Sequence, residues 1–138
     1  MRRSLLLLSA AAALIAALPH LAGAQGTKPA LYTADQATAG AAVYGQACAS
    51  CHGAQMEGVA APALKGPNFG EMANAQSLTA DALLDVIANT MPQSDPGSLK
   101  PEEYAAVTAY ILQQNGYPAG STALAKGAAG LKDAKVTP

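Results

Sequence analysis

Apolar residues recur at helical spacing in two stretches of this chain, and no stretch alternates as a half-buried strand would. Leu83, Leu84 and Ile87 form one stripe, with Val86 at its edge. Thr79 is placed to cap that helix and Asp81 lies in its first turn, where the helix dipole favours a negative charge. Pro92 ends it, because the residue before a proline is pushed towards extended geometry. The spacing therefore predicts a helix over about Ala80 to Thr90 and leaves Met91 extended at its exit. Tyr104, Val107 and Ile111 form the second stripe, widened by Tyr110 and Leu112. Pro101 suits a first helical position, Glu102 and Glu103 fill the first turn, and Gly116 with Pro118 closes the element. An earlier helix opens after Thr33. Thr33-Ala34-Asp35-Gln36 has the form of a capping box, and Ala-rich sequence carries the helix to about Cys48. Gly40 and Tyr44 fall on one face of it. Gly40 either admits another helix closely or is incidental in an Ala/Gly-rich run.

The pattern thus predicts an all-α fold with three main helices. Gly53, Gly58, Pro62, Gly66, Pro67 and Gly70 make 53–70 a loop, and Gln93 to Lys100 is a polar loop. Residues 25–31 read as a flexible lead-in. Residues 118–138 are Ala, Gly and Lys with isolated Leu124, Leu131 and Val136, and read as a low-complexity mobile tail. The domain proper is residues 32–117.

The N-terminus is apolar for a different reason. Arg2 and Arg3 precede a run from Leu5 to Leu18, Pro19 breaks it, and Ala22-Gly23-Ala24 has the A-x-A form of a cleavage site. The run is shorter than the roughly 20 residues a spanning helix needs. Residues 1–24 are expected to be a signal peptide cleaved after Ala24, taking His20 with it and leaving no stable membrane insertion. Without Arg2 and Arg3, six lysines face nine carboxylates, a formal balance of −3. That excludes a nucleic-acid partner of the usual basic kind. Trp is absent and Phe69 is the only Phe. A domain this small has a thin core of its own.

Cys48-Ala49-Ser50-Cys51-His52 supplies what such a core would close around. C-x-x-C-H is the attachment pattern of a c-type haem. Two thiols three residues apart share one side of a helical turn, so each can add to one vinyl group. His52 then lies where it offers a ring nitrogen to the iron. A dithiol redox site has the same cysteine spacing but belongs in a βαβ setting. A structural zinc site needs about four ligands, and the mature chain offers too few Cys and His. A disulfide across so short a loop would leave His52 unexplained. Ten residues on, the Pro62 carbonyl is a candidate acceptor for the second ring N–H, the usual partner of a ligating His.

At this point the chain resembles the class I cytochromes c, in particular the small bacterial monohaem cytochromes that accompany periplasmic dehydrogenases. The resemblance covers about Tyr32 to Gly116. It rests on C-A-S-C-H, on Gly40 and Tyr44 with Val107 and Tyr110 as helix-crossing positions, on A-P-A-L at 61–64, and on T-M-P at 90–92. Ala61 and Ala63 depart from the family's G-P-N-L. The resemblance implies one haem c attached through Cys48 and Cys51, His52 and Met91 as axial ligands, Pro62 on the His and Leu64 on the haem. It implies a periplasmic one-electron carrier, not an enzyme by itself. Its partners would be a periplasmic dehydrogenase as donor and a terminal oxidase or another cytochrome as acceptor. Two readings stand beside it: the haem c subunit of a dehydrogenase complex, and a haem protein with an open sixth site for gas binding or peroxidase-like chemistry. Of the other methionines, Met56 is too close to His52 to cross to the distal side. Met72 has the reach but lies in a stretch with no expected element to fix its angle.

Overall fold

The computed structural model describes residues 28–137; the expected signal peptide lies outside the described residues. Five helices follow one another: α1 (Ala34–Ala47), α2 (Ala49–His52), α3 (Gly66–Ala75), α4 (Ala80–Thr90) and α5 (Pro101–Gln114). Among the described residues there is no strand, only an isolated bridge between Thr79 and Lys135. No helix among them is long and apolar enough to cross a membrane.

The three expected helices form where the capping signals put them. Thr33 Oγ1 accepts from the Gln36 amide at 3.3 Å, and Thr79 Oγ1 from the Ala82 amide at 3.2 Å. At α5, Glu103 Oε2 accepts from the Lys100 amide at 2.8 Å. α1 and α5 form the main helix pair, and α4 packs on α5. Gly40 is what lets them meet: a Cβ there would fall 1.9 Å from the Ala106 carbonyl oxygen. Tyr44 packs edge-on to Tyr110, ring centroids 5.6 Å apart, and its hydroxyl donates to the Gly53 carbonyl at 2.7 Å. Gly40 is therefore a close-approach residue, not an incidental one.

Three expectations are corrected. The stretch read as loop through Gly70 contains α3. Gly66 and Pro67 open that helix instead of breaking it, since proline is tolerated in a first turn whose N–H groups lack helical partners. Its buried face is Phe69, Gly70 and Ala73. Next, the described part of the lead-in, residues 28–31, is held. Lys28 Nζ donates to the carbonyls of Asn115 at 2.8 Å and Thr137 at 3.0 Å and lies over the Tyr117 ring.

The third correction is the largest: residues 118–138, expected to be a mobile tail, are packed onto the body over the part the structure describes. Leu124, Leu131, Ala134 and Val136 are buried. The Gly120 amide donates to the Tyr32 carbonyl at 2.7 Å and the Val136 amide to the Leu78 carbonyl at 2.7 Å. Ala134 and Leu131 carbonyls accept from the Ala80 and Asp81 amides, at 2.8 and 3.2 Å. Those two amides open α4 and have no acceptor within their own helix. Gln36, expected to close the capping box, instead clasps Leu124, donating to its carbonyl at 2.7 Å and accepting from its amide at 2.8 Å. The large apolar residues of this segment are few, but all three, Leu124, Leu131 and Val136, land on the core.

Candidate functional site

α2 is a single turn. Cys48 precedes it, and its carbonyl accepts from the amides of Cys51 at 3.1 Å and His52 at 3.0 Å. Cys51 is exposed, Cys48 half-buried and His52 buried at 9% exposure. Both thiols are free, and burial pushes the Cys48 thiol up from its ordinary range. The chain then leaves the helix through Gly53 at φ 88°, a conformation open chiefly to glycine. The amides of Val59, Ala60 and Ala61 all converge on the Cys51 carbonyl, at 3.2, 2.9 and 3.0 Å. This winding brings Pro62 back over His52.

The His52 Nδ1 to Pro62 carbonyl distance is 2.8 Å. A carbonyl only accepts, so Nδ1 carries the proton and Nε2 is left with a free lone pair. Leu64 is fixed from two sides: its amide donates to the Met56 carbonyl at 3.0 Å, and its carbonyl accepts from Asn115 Nδ2 at 2.9 Å. Met91 leaves α4 in extended geometry, φ −123° and ψ 152°. Its carbonyl accepts from the Tyr104 hydroxyl on α5 at 2.8 Å, and that hydroxyl accepts in turn from the Leu99 amide at 3.3 Å.

Cys48, Cys51, His52, Pro62, Leu64 and Met91 line one cavity of about 680 Å³. That volume lies within the range of about 300–1,000 Å³ occupied by small-molecule and cofactor sites. Its walls are apolar, with Phe69, Leu83, Ile87, Val107 and Ile111 closing it from α3, α4 and α5. The residues fit a haem: a large apolar slot, two thiols at one edge and an imidazole whose free nitrogen is fixed by the bond at the other. Met56 does not line the cavity; it is buried elsewhere, at 1% exposure. Met72 does line it, from α3. The expectation that no element holds Met72 is therefore corrected along with the loop that contained it.

Sequence reasoning missed Phe69 as a cavity wall and Tyr104 as the anchor of Met91. Phe69 is the one Phe of the chain, set among glycines, and a lone large aromatic in a loop-like stretch was a usable signal. Nothing in the sequence paired Tyr104 with Met91, since Tyr104 already served the apolar stripe of its own helix.

No curated protein matches the chain. Among solved structures, the sulfane dehydrogenase SoxCD from Paracoccus pantotrophus is 26% identical, with a TM-score of 0.52 over 74% of this chain and 53% of that one. The thiosulfate dehydrogenase TsdBA from Marichromatium purpuratum is 29% identical, with a TM-score of 0.46 over 80% of this chain and 28% of that one. This chain thus spans about half the length of the first and less than a third of the second. The family described as cytochrome c oxidase, cbb3-type, subunit III matches residues 35–111, the segment from the first turn of α1 through most of α5 that carries the cavity. The chain belongs to that family, and is a class I c-type cytochrome.

Proposed function

We propose that this chain is a periplasmic one-electron carrier holding a single haem c, with Cys48 and Cys51 as thioether sites and His52 and Met91 as axial ligands. When bound, the haem supplies an iron that cycles between Fe(II) and Fe(III). The protein's part is to hold that iron still and dry. The observation that carries the reading is the 2.8 Å contact of His52 with the Pro62 carbonyl, which fixes the ring and leaves Nε2 free towards a cavity edged by both thiols. Such an outer partner orients a ligating His and raises its basicity. Leu64, Phe69, Leu83, Ile87, Val107 and Ile111 exclude water, so a change of charge inside needs little rearrangement of solvent. Met91, held by Tyr104, offers a soft thioether that favours the ferrous state and raises the potential.

The likeness to a sulfane dehydrogenase supports a dehydrogenase as the donor, and the family match supports an oxidase or another cytochrome as the acceptor. The same likeness favours a second reading, in which the chain is the haem subunit of a dehydrogenase complex.

Two measurements test the proposal. Protein recovered from the periplasm should have the mass of Gln25–Pro138 plus one haem. A haem-free mass would refute the reading. Met91→Ala should abolish the weak long-wavelength iron–sulfur absorption band, admit carbon monoxide and lower the potential, with the haem still attached. Loss of the band in Met72→Ala but not in Met91→Ala would give the distal role to Met72 instead.

A further inference from the structure

The C-terminal segment leaves α5 at Tyr117, and its far end returns to the same residue. The Tyr117 hydroxyl donates to the Lys135 carbonyl at 2.7 Å and accepts from the Thr137 amide at 3.0 Å. Between those points the segment meets α1, where Gln36 clasps Leu124, and then the start of α4. It is a strap tied at both ends. The family match ends at residue 111, so the strap lies beyond the matched span.

Its bonds to α4 fall at one end of that helix. The amides of Ala80, Asp81 and Ala82 open α4 and have no acceptor within it. Strap carbonyls take the first two, from Ala134 and Leu131, and Thr79 Oγ1 takes the third. The Val136 amide bonds to the Leu78 carbonyl just ahead of the cap, and Leu131 and Val136 are buried at 1% and 2% exposure. The Lys126–Asp85 ion pair, further along α4, is exposed and adds little.

Met91 sits at the other end. α4 is 11 residues, a rod of about 16 Å, with Leu83, Val86 and Ile87 on the cavity between its two ends. At the exit the Met91 carbonyl accepts from the Tyr104 hydroxyl, and the Met91 amide donates to the Ile87 carbonyl at 3.0 Å. One bond from α5 at the exit leaves the rod free to tilt; fixing its start as well removes the tilt. We infer that the strap is a positioning element for Met91, with Leu131 and Val136 as its positioning residues: by fixing the start of α4 it holds the sulfur that the helix delivers at its exit. The inference rests on ligation by Met91 and adds what keeps that ligand in place.

Imidazole is the probe. It competes with the distal sulfur for ferric iron, so its apparent affinity follows the fraction of molecules in which the sulfur is off. The test uses the full-length haem-loaded protein well below its melting temperature. Leu131→Ala and Val136→Ala should each strengthen imidazole binding at least about fivefold, the low end of ordinary coupling between sites. The iron–sulfur band should weaken while far-ultraviolet circular dichroism stays at the parent value. Val136→Ala, the smaller deletion, serves if Leu131→Ala does not retain its haem. Leu112→Ala deletes a buried side chain of α5 that does not line the cavity, and should lower stability with imidazole affinity within about twofold of the parent, as for uncoupled sites. Strap variants that bind imidazole no more tightly than the parent or Leu112→Ala overturn the strap's role, and ligation by Met91 stands if Met91→Ala still strengthens binding. If Met91→Ala leaves both the band and the affinity unchanged, the ligation reading falls and the strap's role with it.

Discussion

Replacing Gly40 with alanine tests the helix crossing on which the cavity is hung. The new Cβ would lie 1.9 Å from the Ala106 carbonyl oxygen, 2.4 Å from its carbon and 3.0 Å from the Tyr110 Cβ. Two of these are backbone atoms inside α5, so no rotamer change relieves the contact. The helices must separate by more than an ångström, which loosens Tyr44 against Tyr110 and the α5 wall of the cavity. Overpacking costs about 1–3 kcal/mol and more where backbone must move. Alanine gains about 1 kcal/mol over glycine in a helix. The net expectation is a loss of about 2 kcal/mol, or a melting temperature lower by about 10 °C for a domain of this size. Gly45 provides the control. It lies in the same helix, and a Cβ there meets nothing within 4 Å. Gly45→Ala keeps the propensity gain alone, about 0.5–1 kcal/mol, and should raise the melting temperature by a few degrees. The assay is thermal unfolding of the haem-loaded ferric protein by far-ultraviolet circular dichroism. Equal shifts of the same sign in the two variants would refute the argument, because only the crossing distinguishes them.

Other outcomes follow from single contacts. Leu131, 1% exposed in the C-terminal segment, should cost about 2–4 kcal/mol as Leu131→Ala; a mobile tail would cost nothing, and chemical denaturation separates the two. Tyr104→Phe removes the donor to the Met91 carbonyl; under the proposed ligation by Met91, the iron–sulfur band should disappear on heating at a lower temperature than in the parent, by an amount matching about 1–2 kcal/mol. Burial first, then the negative charges that Glu57, Tyr110 and, while its thiol is free, Cys48 can carry, push the Tyr44 hydroxyl up to about 12. The fold favours its neutral form, so its contribution is complete below the unfolded value of about 10 and is lost as pH rises from about 10 to 12. Tyr44→Phe loses the bond to Gly53 at neutral pH but lacks this alkaline loss. The stability gap between parent and variant, measured by denaturation at stepped pH, should therefore narrow above pH of about 10.

Much of this was legible along the chain because it is local. Thr33, Thr79, Pro92 and Pro101 mark helix ends through bonds and clashes that span only three or four residues, and α1, α4 and α5 begin where they indicate. The C-x-x-C-H spacing determines the cofactor chemistry in the same way, since both thiols and the imidazole lie on one turn. The Pro62 contact also follows from a short winding of chain. What tertiary structure decided depends on distant partners. Gly66 and Pro67 read as breakers, and become the start of α3 only because Phe69 and Ala73 have a core to enter. Met72 reaches the same cavity as Met91 by that route. Gln36 has the right spacing to cap its own helix, yet bonds to Leu124, 88 residues away. The segment after Tyr117 carries too few apolar residues to collapse alone. It is ordered because Leu124, Leu131 and Val136 each find a place prepared by other elements, and because its carbonyls meet the two open amides of α4. Composition counts how much apolar surface a segment has, whereas burial depends on whether a complementary surface elsewhere is waiting for it.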